Sequence, residues 1–169
     1  MKRFMIIKGK AHKFGDNIST DLIAPGRYFY LRNKLEELAK HTLEDADIQF
    51  VKKVKKGDII VAGKNFGLGS SREHAPAIIK LCGIKAVLAK SFARIFYRNS
   101  INLGLLLIEC DTSFIVQGDL VLIDIKKNLI KDLTNEKKTK FPSLPKFILD
   151  IVNQGGVVEY LKKFKEFKF

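Results

Sequence analysis

Cysteine is scarce in this chain: its 169 residues hold two, Cys82 and Cys110, with no Cys-x-x-Cys and no Cys/His spacing of a metal site. Both stand in apolar surroundings, which fits buried, unreactive thiols. Any metal in the chemistry must then come from elsewhere. Long apolar runs are missing as well, since none approaches the roughly 20 residues that span a bilayer. Behind the basic start, the apolar stretch before Lys8 is only about four residues, too short for the core of a signal peptide. These absences point to a cytoplasmic protein with no membrane partner. Acidic residues are also few: 18 Asp and Glu stand against 31 Lys and Arg, a net charge of +13. That balance points to polyanions, an acidic partner surface or anionic substrates.

The lysines are spread along the chain in doublets such as Lys52-Lys53, Lys126-Lys127 and Lys162-Lys163. A nucleic-acid module more typically pairs a basic face with stacking aromatics or a reading helix. Phe164, Phe167 and Phe169 do interleave with lysine in the tail, so a basic RNA-binding module remains an alternative beside a solvated amphipathic helix. A hydrophobic content of 46% over 169 residues supplies one proper core. The expectation is a single domain over residues 1–169.

The pattern of elements alternates. NKLEELAKHTLE (33–44) reads as a helix, GDIIVAG (57–63) as a turn feeding a buried strand, and REHAPAIIKLC (72–82) as a helix with Pro76 tolerated in its first turn. KAVLA (85–89) is a strand, SFARIFYRNSI (91–101) a helix and LGLLLIE (103–109) a strand. GDLVLID (118–124) echoes GDIIVAG, and LIKDLT continues it as a hairpin. NEKKTKFPSLP reads as a polar loop, and the tail from Lys146 as two helices broken at Gly155-Gly156. Strand, glycine turn, helix, strand is the mark of an α/β unit with parallel strands. With the GD-started strands beside it, the fold class is α/β in three layers: sheet, sheet and helices.

Between the strand at 57–63 and the helix at 72–82 lies KNFGLGSSREHAP (64–76). Ser70-Ser71-Arg72-Glu73 matches a capping box, with Ser70 as N-cap and Glu73 reaching back. The same turn suits an anion: a helix N-terminus offers free N–H groups and a positive dipole end, and Gly67 and Gly69 let the backbone approach a bound group. Arg72 adds a bidentate carboxylate clamp, and a serine hydroxyl there sits where an alkoxide costs least.

The string GKNFGLGSSREHAPAIIKLCGIKAVLAKSFARIFYRNSINLGLLLIE resembles the swivelling small-subunit domain of the aconitase superfamily, and within it the small subunits of 3-isopropylmalate dehydratases. KFGDNISTDLIAPGRY, VKKGDIIVAG and NQGGVVEYLK extend the likeness over nearly the whole chain. The resemblance implies a β/β/α swivelling domain. It also implies a reaction that removes water from a hydroxy-di- or tricarboxylic acid and adds it back in the other orientation. Such chemistry needs a base for a carbon-bound proton and a Lewis acid for the departing hydroxyl. By resemblance Ser70 is the base, Ser71 and Arg72 hold substrate carboxylate with Gly69 beside them, and the Lewis acid is an iron of a [4Fe-4S] cluster. This chain lacks the three cysteines for that cluster, so it is expected to bind no cofactor and to be half an enzyme. Its partner is then a cluster-bearing large subunit, in a heterodimer or heterotetramer.

Ser19-Thr20-Asp21 resembles the family's TTD or DTD motif, which places Asp21 and Thr20 near the site; an Asx-turn is the plainer role for such an aspartate. GRYFYLRNKLEEL (26–38) is the specificity loop by resemblance. An arginine there suits a substrate with an extra carboxylate and apolar side chains suit an isopropyl group, because a mispaired buried charge is heavily penalised. Tyr28, Phe29, Tyr30 and Leu31 stand beside Arg32, so both isopropylmalate and a homoaconitate- or citraconate-type substrate stay open. The loop lacks a clear period and is a candidate lid. His12 and His41 read as surface residues, and His74 as a neighbour of the turn. Arg94 and Arg98, four apart on one helix face, read as partners of acidic groups or as cover for the sheet edge, with an anion as the lesser option.

Overall fold

The computed structural model describes residues 6–167, so residues 1–5 of the basic start and the last two of the tail, Phe169 among them, lie outside it. Four strands, β1 (Ile6–Lys13), β2 (Ile59–Val61), β3 (Ala86–Ala89) and β4 (Leu106–Glu109), pair in parallel. Three more, β5 (Leu120–Asp124), β6 (Leu129–Asp132) and β7 (Lys138–Lys140), continue antiparallel from the other side of β1. The full order is β4-β3-β2-β1-β5-β6-β7. β1 serves both halves: Ile6 to Lys10 pair with β5, and Ala11 to Lys13 with β2.

β2 and β3 are buried along their whole length, as strands covered on both faces must be. On one face Ile60, Ala62, Val87 and Leu107 join Ile23, Leu38, Phe50, Ile78 and Phe96 from α1 (Thr20–Ile23), α2 (Leu35–Ala39), α3 (Phe50–Lys53), α4 (His74–Leu81) and α5 (Arg94–Asn102). On the other face Ile59, Val61, Leu88 and Ile108 share a core with Val121, Ile123 and Ile130 of the antiparallel strands. The same core takes in Ile151 and Tyr160 of α6 (Lys146–Gln154) and α7 (Val157–Phe164). Two cores separated by the parallel strands give the three layers that the sequence leads one to expect.

Several local expectations change. β1, the strand common to both halves, is hidden in the sequence because its inward positions are Ile7, Gly9 and Ala11 while lysines alternate between them. The helix expected over 33–44 ends at Ala39, since Leu43 is left-handed (φ +57°), buried, and donates its N–H to Ile23 O. β7 forms inside the segment expected as a loop; its Lys-Thr-Lys has no apolar period, and lysines suit an edge strand. Residues 26–31 form a 3-10 turn tied down by Arg27, which donates to Asp45 and Glu44. His41, stacked on Tyr28 at 3.7 Å, bonds Glu44, and His12 is a core residue.

The two GD turns share one device. Asp58 accepts the N–H of Lys55, and Asp119 that of Val116, each three residues upstream. Asp58 also accepts from Lys10 N–H and lies 2.8 Å from His12 Nε2, so one buried carboxylate fastens the crossing of β1 and β2. Burial pushes this carboxyl up, but the His12 bond and the two backbone donors outweigh it and leave the group below its usual range. A carboxyl lowered by folding stabilises above its unfolded pKa and loses that contribution as pH falls through the folded value. Asp58→Asn is therefore expected to flatten the acid limb of a Tm-versus-pH curve below about pH 4; an unchanged slope refutes this.

Gly9 is fixed by close approach, because a Cβ there would lie within 2.2 Å of Gly57 O. Backbone cannot step aside as a side chain can. Gly9→Ala is expected to cost about 2 kcal/mol or more in urea unfolding, and a loss under about 0.5 kcal/mol would show that β1 and the Gly57 turn separate freely.

Candidate active site

The carboxyl ends of β1, β2 and β3 deliver three segments to one edge: residues 14–21, 62–71 and 90–93. Backbone bonds knit them together, with Gly67 N–H donating to Ile18 O, Thr20 N–H to Leu68 O and Ala93 N–H to Phe66 O. Gly67 is left-handed (φ +81°), and any Cβ on it would strike the Phe96 ring. That contact holds the serine turn against α5. Gly69 follows at φ +106°, turning Ser70 and Ser71 outward, where both are exposed.

Arg72 is the hub. Its Nη2 meets Asp21 Oδ1 at 2.5 Å, Nη1 donates to Ala24 O at 3.0 Å, and Nε donates to Ser70 Oγ at 3.0 Å. Asp21 is 61% exposed in its side chain and Arg72 20%, so the pair sits at a rim with its acidic end in solvent. Thr20, expected among the substrate contacts, lies instead beneath the turn: it is buried and its hydroxyl donates to Ser70 O. It positions Ser70 rather than facing a ligand.

The capping box does not form. α4 begins at His74, its N-cap Glu73 makes no side-chain cap bond, and Ser70 Oγ is taken by Arg72. Arg72 bonds to Asp21 and Ala24 across the chain, and its own N–H closes a tight turn on Ser70 O, so residues 70–73 stay outside the helix.

The loop meets this cluster through Phe29. Its ring lies under Arg32 at 4.7 Å and Arg72 at 5.9 Å, and His74 packs edge-on at 6.0 Å. Burial lowers the His74 pKa, and Arg72 and Arg32 lower it further, so the imidazole is neutral at neutral pH. Arg32 thus brings its charge to the site side of the loop. Phe29 and His74 form a wall here; the sequence places one in the loop and the other beside the turn, but a loop without a period gives no sign that the two rings meet.

The arrangement presents a hydroxyl with a guanidinium donor on it, further N–H groups on the same arginine, and a second arginine nearby. Its donors suit a carboxylate, and it is open to solvent. Burial raises both thiols, Cys110 to about 12, and no group of three metal-ligating side chains occurs among the described residues.

Fold and site together define a swivelling-type α/β domain with an open serine–arginine turn at the carboxyl ends of its parallel strands. A model of the aconitase C-terminal domain matches residues 28–113, and the chain belongs to that family. It is 61% identical to the 3-isopropylmalate dehydratase small subunit 1 of Thermotoga maritima, over 96% of this chain and 98% of that one. It is 56% identical to the methanogen homoaconitase small subunit of Methanocaldococcus jannaschii, over 95% and 94% respectively. A crystal structure described as 3-isopropylmalate dehydratase from the same organism superposes with a TM-score of 0.91 at 53% identity, covering 95% of this chain and 96% of that chain.

Proposed function

We infer that the chain is the small subunit of a 3-isopropylmalate dehydratase, interconverting 2- and 3-isopropylmalate by loss and return of water in leucine biosynthesis. The observation that carries the reading is the open serine turn, in which Arg72 is braced by Asp21 and Ala24 with its Nε–H on Ser70 Oγ. The names of relatives at 50–61% identity over nearly the full chain support it.

On this reading Ser70 Oγ, as alkoxide, takes the proton from the carbon next to a substrate carboxylate. The Arg72 Nε–H holds that negative charge before the transfer and donates to the neutral hydroxyl after it. The remaining Arg72 donors and Ser71 hold a carboxylate at the rim, while Asp21 and Thr20 fix the arginine and the serine. The Lewis acid for the departing hydroxyl belongs to a [4Fe-4S] cluster on the large subunit. That partner also covers the exposed side of the site, and the whole acts in the cytoplasm.

The placement of Arg32 favours a second reading, a homoaconitase-type substrate with a third carboxylate. Arg32 stacks on Phe29 and, among the described residues, hydrogen-bonds to Phe29 O alone, at 3.5 Å, so its charge is available. An anaerobic assay of the subunit with its cluster-reconstituted large subunit separates the readings, using isopropylmalate first and homocitrate or homoisocitrate second. Turnover of isopropylmalate is expected, with Arg32→Ala changing kcat/KM less than about threefold. Preference for the tricarboxylate, with a loss of roughly 10- to 100-fold in Arg32→Ala, moves the assignment.

A further inference from the structure

A groove of about 460 Å³ opens beside the serine turn, between α5 and residues 142–144, lined by Phe92, Arg94, Tyr97, Arg98, Glu109 and Leu144 among others. Its two arginines stand four apart on α5, both exposed, and neither has a carboxylate within ion-pair distance among the described residues. The pairing with acidic groups that their spacing suggested is absent. Like charges at this spacing cost a helix stability, and Glu109, the one carboxylate among the lining residues named, forms no ion pair with either of them. Beside them Ile95 is 52% exposed.

The groove adjoins the open half-site directly. Phe66 N–H donates to Ser91 O, Asn65 N–H to Ser91 Oγ, and Ala93 N–H to Phe66 O, so the segment leading into α5 is laced to the first residues of the serine turn. Phe92 of the groove also packs against Phe66 at 6.2 Å, so the groove wall and the serine turn are carried on segments held to each other, and a partner seated on the turn can reach both.

We propose that the α5 groove is a docking socket for the large subunit, receiving an acidic side chain on Arg94 and Arg98 and an apolar one on Phe92, Tyr97 and Leu144. The inference rests on the reading of this chain as the small subunit of a two-subunit enzyme. A polypeptide is the fitting occupant because a small anion would satisfy the arginines and leave the apolar wall of Phe92, Tyr97, Pro142 and Leu144 wet. A second copy of this chain is disfavoured by its +13 charge. Charge pairing of this kind speeds and orients association more than it alters the chemistry that follows.

The test is the dissociation constant between the full-length subunit and its reconstituted large subunit, measured for wild type, Arg94→Ala/Arg98→Ala and Arg94→Lys/Arg98→Lys. Turnover is followed in the same samples at saturating small subunit, and thermal unfolding of each variant checks its fold. The alanine pair is expected to raise Kd about tenfold or more, with kcat at saturation within about twofold. The lysine pair should recover part of the affinity, most clearly at low salt. A Kd within about twofold of wild type in the folded alanine variant overturns the socket, as does a wild-type subunit that fails to bind the large one. Chemical-shift changes in α5 produced by isopropylmalate alone, with subunit affinity unaffected by the alanine pair, would make the groove a small-anion site and also overturn it. Weakened association in the alanine pair together with a wild-type complex that does not turn over isopropylmalate supports the socket and refutes only the substrate assignment.

Discussion

Ser70→Ala is expected to lower kcat of the reconstituted enzyme by roughly 10²- to 10⁴-fold, the usual worth of a positioned general base. Its affinity for the large subunit and its Tm should hold. The side chain is exposed and its one hydrogen bond is to Arg72 Nε, so its removal leaves no buried group unpaired. Surface changes of that kind stay within about 0.5 kcal/mol. Substrate binding should weaken little, because Arg72 keeps its braces on Asp21 and Ala24. The combination of lost kcat, nearly constant KM and unchanged assembly is what a base predicts. Turnover within about tenfold of wild type would remove Ser70 from that role.

Arg72→Lys is expected to be almost as severe but to divide differently. An ammonium keeps the charge and loses the planar fork that reaches Ser70 Oγ, Ala24 O and Asp21 at once. The carboxylate clamp weakens, which raises KM, and the serine loses the donor that holds its negative charge, which lowers kcat. A fall of about 10²- to 10³-fold in kcat/KM follows from losing one or two charge-assisted bonds. Stability should drop as well, by about 1–2 kcal/mol, because Ala24 O lies in a buried residue and loses its donor. Steady-state kinetics at saturating large subunit, with denaturant unfolding of the free subunit, reads all three quantities. If kcat/KM fell while KM and Tm stayed constant, Arg72 would act on the serine alone and the clamp would have to be sought elsewhere, with Arg32 first in line.

What could be read in advance follows the range of the forces involved. The buried strands β2 and β3, the helices α4 and α5 and the glycine break between α6 and α7 announce themselves through apolar runs, helical period and Gly155-Gly156, which are all local. Ser70, Ser71 and Arg72 stand out as a glycine-shaped turn before a helix because glycines and a serine pair are a local pattern too, though the capping box that the same pattern suggests does not form. β1 was not legible: in Ile-Ile-Lys-Gly-Lys-Ala-His-Lys the inward side chains are small, and the reason lies in Gly57, a residue of another segment that Gly9 nearly touches. His12 read as a surface residue for the same reason, since its place depends on Asp58, 46 positions away.

The serine turn marks the boundary. The groups on offer are written into the chain: a serine and an arginine on a glycine-shaped turn, an arginine and aromatics in a second loop, and too few cysteines for a cluster. How they meet depends on contacts made by folding. The local pattern of Ser70 to Glu73 favours a helix cap worth about 1 kcal/mol. That preference yields because Arg72 gains bonds to Asp21 in α1 and to Ala24 just after it, and Thr20 takes hold of Ser70 O. Contacts between segments about 50 residues apart outweigh the cap, and they turn a would-be helix start into an exposed hydroxyl with a guanidinium upon it.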